Sequence, residues 1–136
     1  MAGFRKIDCP EVPEPPGASW SNGLVIGREI VLSGVTARGR DGKAIGGASM
    51  EAQTRACLDK VFAQVKAAGG HPGNVYRLVI YVTDIARKDE VNTARKAAFA
   101  ATYPVSTLVE VSGLVFPDLL VEVDAFANLD VSLQQD

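Results

Sequence analysis

Apolar residues recur along this chain in two rhythms, one three to four residues long and one of strict alternation, and the points of change mark its elements. Between Ser49 and Ala68 the residues Leu58, Val61, Phe62 and Val65 fall at the spacing that lines one face of a helix. Ser49 stands where a side-chain oxygen can cap free amides, Glu51 sits in the first turn, and Gly69 follows the last periodic residue. A helix is predicted there. A second is predicted from a cap at Asp89 to about Ala101, with Val91, Ala94 and Ala98 on its inner face and Pro104 as the stop.

The other apolar runs have strand character. "GLVIGREIVLSG" reads as two short strands joined at Gly27-Arg28-Glu29 and ending at Ser33-Gly34. "NVYRLVIYVTDI", residues 74 to 85, carries β-branched and aromatic residues at both parities, the pattern of a strand covered on both faces. Strands over 105–111 and 119–127 follow, separated by a loop with Gly113 and Pro117. Two strands, helix, strand, helix, two strands predict an α+β sheet with both helices packed on one face.

Parity then sorts the last two strands. Val121, Val123, Ala125 and Ala127 oppose Glu122, Asp124 and Phe126, while Thr107, Val109 and Val111 oppose Ser106, Leu108 and Glu110. Giving the valine faces to the helices leaves a second face on which carboxylates stand beside Leu108 and Phe126. Burying unpaired carboxylates is costly, so that face points to a subunit interface supplying donors, water or a ligand cavity.

Composition narrows the classes. A chain of 136 residues, 47% hydrophobic and 22% charged, is expected to form a single domain over 1–136, and the four prolines of "CPEVPEPPGA" make residues 1–18 an extended arm. With 14 Lys+Arg against 16 Asp+Glu, a net charge of −2, no basic footprint for nucleic acid exists, and no run of residues is long enough to span a membrane. Cys9 and Cys57 are the only cysteines, and with no charged and apolar signal segment before them a reduced, cytoplasmic setting is expected. His71 is the sole histidine, so neither a His-based metal site nor a Ser-His-Asp triad has its parts, and His71 itself is expected in a loop.

The blocks "SWSNGLVIGREIVLSG", "EAQTRACLDKVFAQVKAAGG", "VYRLVIYVTDI", "DEVNTARKAAF", "YPVSTLVEV" and "LLVEVDAFA" resemble, in order, those of the reactive-intermediate deaminase family, the RidA/YjgF type. The resemblance implies a fold similar to chorismate mutase: a mixed sheet with two helices on one face, three subunits closing a central barrel, and clefts between subunits. It also implies hydrolysis of enamines and imines to a 2-oxo acid and ammonia without a cofactor. In the best-known branch an arginine read as Pro-x-Arg grips the substrate carboxylate. Here that tripeptide is Pro104-Val105-Ser106, and a hydroxyl cannot reproduce a bidentate guanidinium contact. Deamination of simple 2-imino acids is therefore not carried over.

What the resemblance retains is Ser33-Gly34, Asn92 and Glu122, the last matching the family carboxylate that positions water. Trp20 stands where the family often has tyrosine, Leu108 replaces a small or cysteine residue, and Ser106 becomes a polar contact. The expected site has Glu122 as its catalytic group, with Trp20, Ser33, Gly34, Asn92, Ser106 and Leu108 around the substrate and no metal. Arg38, Arg40, Arg87 or Arg95 is left as a replacement for the missing clamp. The expected activity is hydrolysis of an imine, enamine or related labile C–N bond in a small molecule other than a simple 2-imino acid, at an intersubunit site of a homotrimer. The alternative is a trimer that binds a small molecule without turning it over. The ribonuclease activity sometimes attached to the family is disfavoured by the acidic balance.

Overall fold

The computed structural model describes residues 3–134; residues 1–2 and 135–136, the ends of the expected 1–136 domain and the start of the expected 1–18 arm, lie outside the described residues. The elements are β1 (Phe4–Lys6), β2 (Gly23–Ile26), β3 (Glu29–Leu32), β4 (Val35–Thr36), α1 (Met50–Ala67), β5 (Val75–Val82), α2 (Lys88–Ala98), β6 (Val105–Glu110) and β7 (Val121–Asn128). They build one mixed sheet in the order β1-β2-β3-β7-β5-β6, with β4 also paired to β7. Only β5 and β6 run parallel, as a strand pair joined through a helix must. The expected α+β architecture, two helices on one sheet, is the observed one.

Local chemistry explains most boundaries. Gly27 at φ +60° makes the tight turn between β2 and β3. The Ser49 side chain accepts the Ala52 amide at 3.0 Å and opens α1, whose Leu58, Val61 and Val65 are buried in the core. Strand β1 was not foreseen: its Phe4-Arg5-Lys6 pairs with Ile26-Val25-Leu24, and the following Ile7 and Cys9 are buried.

The second helix differs at both ends. It starts at Lys88 behind a 3-10 turn over Ile85–Arg87, which is capped by Asp84 accepting the Ala86 amide at 3.0 Å, so Asp89 lies in the first turn and is not the cap. It ends at Ala98, earlier than the expected Ala101. Phe99 leaves helical geometry and buries its ring edge-on against Phe62 of α1, with centroids 5.3 Å apart. Burial of an aromatic ring stops this helix before Pro104 does.

Parity holds in β7 and fails in β6. Val121, Val123, Ala125 and Ala127 are buried while Glu122, Asp124 and Phe126 are half-buried on the opposite face. In β6 the parallel register sets Ser106 beside Leu78, Leu108 beside Ile80 and Glu110 beside Val82. Paired residues share a face, so Ser106 and Leu108 lie on the helix side and Leu108 packs on the core. Val105, 66% exposed, and Val109, 39% exposed, lie on the open face instead. The expectation that Leu108 accompanies the carboxylates is corrected. Within one chain the open face of β5 is likewise uncovered: Val79 and Tyr81 are half-buried and Arg77 is exposed.

One buried amide locks the entry to β7. Gln53 of α1 is fully buried; its Nε2 donates to the carbonyls of Gly47 at 2.7 Å and Asp118 at 2.9 Å, and its Oε1 accepts the Leu120 amide at 2.9 Å. Gln53→Leu fills the same space but orphans three backbone groups, each at roughly 1–3 kcal/mol. We expect a stability loss of about 3 kcal/mol or more in urea unfolding at unchanged m-value, against less than about 0.5 kcal/mol for the exposed Arg55→Ala.

Candidate functional site

Strand β4 brings Thr36 beside Glu122 and Val35 beside Val123, and the residue before it leaves room for a carboxylate. A Cβ on Gly34 would stand 2.7 Å from Glu122 Oε2, closer than nonbonded atoms approach. Glu122 enters none of the ion pairs among the described residues. Burial first, and the neighbouring charge of Asp124 second, push its pKa above the ordinary 4.5. Asp124 is occupied by the Tyr81 hydroxyl, which donates to it at 2.8 Å. Glu122 is thus a half-buried carboxylate with its proton affinity raised and no cation on it.

Trp20 and Ser33 belong to the same neighbourhood of the chain. The Ser33 hydroxyl donates to the Ser21 carbonyl and its amide to the Asn22 carbonyl at 2.8 Å. Trp20, half exposed, donates through Nε1 to Asn22 Oδ1 at 3.1 Å. The Ser33 hydroxyl is therefore committed to holding the segment that carries the indole. Cys57, fully buried, has its thiol pushed up to about 12 chiefly by burial and is no nucleophile.

The other expected residues lie elsewhere. Asn92, Ser106, Leu78 and Phe99 line a cavity of about 310 Å³ between α2 and β6, together with Arg95 and Tyr103. Ser106 Oγ accepts a hydrogen bond from Arg95 Nη1 at 2.8 Å. Leu108, two residues on, packs on the core and is not part of the lining. Of the four arginines considered as replacement clamps, Arg87 is paired with Glu90 at 2.6 Å, Arg40 donates to the Pro10 carbonyl at 3.0 Å, and Arg38 lies 3.6 Å over the Phe116 ring. Arg95 alone reaches Ser106. One sequence signal singles it out of the four: Arg95 follows Asn92 by three residues and so shares its helix face.

The two groups are not brought together within a subunit. β5 separates β7 from β6, Glu122 pairs with Tyr81, and Ser106 pairs with Leu78. At about 4.8 Å per strand and 3.3 Å per residue, their backbones are roughly 10 Å apart across the sheet and 10 Å along it, with side chains on opposite faces. Each chain therefore carries two separate polar groups of residues, one acidic and one basic.

The family profile described as Endoribonuclease L-PSP matches residues 12–129. The chain is 33% identical over 109 residues to an Escherichia coli 2-iminobutanoate/2-iminopropanoate deaminase, spanning 77% of this chain and 83% of that protein. Among solved structures, a protein of unknown function from Pseudomonas aeruginosa is 49% identical with a TM-score of 0.90, covering 100% of this chain and 99% of that one. The YjgF product of Escherichia coli is 30% identical with a TM-score of 0.82, covering 91% and 98%.

The raised pKa of Glu122 carries a stability consequence with a definite sign. Its folded value lies above the unfolded 4.5, so in the interval between them the native state holds more protons and stability falls as pH rises. At neutral pH the buried charge is a cost. Glu122→Gln is expected to melt at higher temperature than the wild type at pH 7, with the gap closing as pH drops below 4.5. A gap that is reversed at pH 7 in calorimetry would mean that a cation compensates the carboxylate.

Proposed function

The chain belongs to the Endoribonuclease L-PSP family, the YjgF/RidA group, and on that premise we propose that it hydrolyses an imine or enamine other than a simple 2-imino acid, without a cofactor, at a site shared between subunits. The observation that carries this reading is Glu122: an accessible carboxylate held against Gly34, free of ion pairs, with its pKa raised towards neutrality. Deaminases of imines among the relatives supply the reaction type.

The chemistry balances with one residue moving two protons in turn. Glu122 takes a proton from water as the oxygen adds to the C=N carbon and returns it to nitrogen, giving a carbinolamine. It then takes the hydroxyl proton and passes it to nitrogen as the C–N bond breaks, releasing ammonia and leaving the carbonyl. An enamine enters the same path after protonation at carbon. Trp20, half exposed on the segment that Ser33 holds next to Gly34, would offer a flat wall for the substrate.

Sharing between subunits is supported by the separation of the acidic and basic groups and by the open sheet face. Thr107, Val109, Tyr81 and Phe126 surround Glu122 and Asp124 there, a mixture suited to a face covered by another copy. A trimer lets the acidic half-site of one subunit meet the basic half-site of the next. The ribonuclease in the family description fits less well, because a chain of net charge −2 has no general attraction for RNA.

Two measurements test the reading. Light scattering at micromolar concentration should give three chain masses, and a monomer would remove the shared site. In steady-state assays, imines made in situ by an amine oxidase should lose ammonia faster in the presence of the protein. Glu122→Gln should lower kcat by roughly 10²–10⁴-fold, the usual contribution of a general acid/base, while the oligomer persists. Undiminished turnover in that variant would give the carboxylate a structural role.

A further inference from the structure

The cavity between α2 and β6 carries more information than the hydrolytic reading uses. Among the described residues, Arg95 and Lys96 are its charged lining residues and none of the lining residues is acidic. Arg95 is half-buried, enters none of the ion pairs among the described residues, and spends one donor on Ser106 Oγ at 2.8 Å. A guanidinium has five N–H donors, so most of its hydrogen-bonding capacity is unspent inside the protein. Burial pushes its pKa down from the ordinary value, the mark of a cation whose desolvation nothing repays. The remaining walls include Leu78, Phe99 and Tyr103, which are apolar or aromatic.

We propose that Arg95 is the anion anchor of this cavity and that the substrate carries a carboxylate separated from its labile C–N bond by an apolar spacer. The proposal rests on the hydrolytic reading for the C–N bond and on the cavity alone for the carboxylate. An arginine at position 106 would project from the strand, fill the cavity with its own side chain and present its charge an arginine's length from β6. Arg95 approaches from the helix and sets its charge against the strand, within hydrogen-bond distance of the serine Oγ. The space of about 310 Å³ is left open, at the lower end of the range of small-molecule sites. An anion must reach inward to meet this guanidinium, so the chain between the anion and the reacting group lies along Leu78, Phe99 and Tyr103. A 2-imino acid has no such chain.

Ser106 then has a definite part. By accepting from Nη1 it fixes the plane of the guanidinium and leaves the other edge for bidentate capture of a carboxylate. Asn92, three residues before Arg95 on the helix, adds an uncharged donor and acceptor at the rim.

Binding of two matched probes to the native oligomer, followed by calorimetric titration, tests this without any turnover. 4-Phenylbutanoate and 4-phenylbutanamide share the apolar spacer and differ in charge. The acid should bind about 10- to 100-fold more tightly than the amide, the range for a hydrogen bond to a charged group. Arg95→Met should abolish that preference while leaving amide affinity within about twofold, and Arg95→Gln provides the same reading if the first variant does not fold. Equal affinity of acid and amide for the wild type, or a preference that survives in a folded Arg95 variant, overturns the anchor. A preference retained in Glu122→Gln protein whose turnover is undiminished supports the anchor and overturns the hydrolytic reading alone.

Discussion

The antiparallel pairing of β5 with β7 is the constraint on which the molecule depends. From Leu78 beside Ala125 to Val82 beside Val121, each alternate pair closes the core and each intervening pair faces away, carrying Val79 with Asp124 and Tyr81 with Glu122. A slip of one residue would drive two carboxylates into the helix side and turn the valines out. The core and the carboxylate-bearing face are therefore fixed by the same register. Gln53 holds the entry of β7 through Asp118 and Leu120, so helix packing sets where that register begins.

What the sequence reveals of this arrangement depends on how unequal the two parities of a strand are. In β7 valine and alanine alternate with glutamate and aspartate, and the assignment of faces follows from burial cost alone. In β6 one parity holds Val105, Thr107 and Val109 and the other Ser106, Leu108 and Glu110. Both mix polar with apolar, so neighbours decide, and the parallel register with β5 lies outside the strand's own sequence. The second helix shows the same limit: its apolar spacing is visible, but its end is set by the contact of Phe99 with Phe62, far apart in sequence. Glu122 could be read as a candidate because it stands against a family pattern, whereas Arg95 reads in sequence as one charge among many on a helix surface. Only the fold shows that its guanidinium meets Ser106.

The separation of Glu122 from Arg95 has an electrostatic logic. Had one subunit placed them within contact distance, they would form a salt bridge, the carboxylate would lose its raised proton affinity, and the guanidinium would have no edge to offer an anion. Opposite faces of the sheet keep both groups uncompensated in the isolated chain. Each is left half-buried, which desolvates it enough to matter and leaves it reachable.

In the proposed trimer, assembly through the open sheet face is the step that makes such groups useful. Covering Glu122 with a neighbouring copy would remove more water from it and raise its pKa further, moving a water-activating carboxylate closer to the pH at which it works. In the proposed trimer the partner's cavity would meet it already filled by the substrate's anion, which would neutralise Arg95 and avoid collapse into a salt bridge. The substrate's own charge would thus switch off a cation able to quench the base. Binding and proton transfer would then be coupled by charge, with no moving part required, and substrates lacking the anion would leave the base facing a naked guanidinium and be turned over less well.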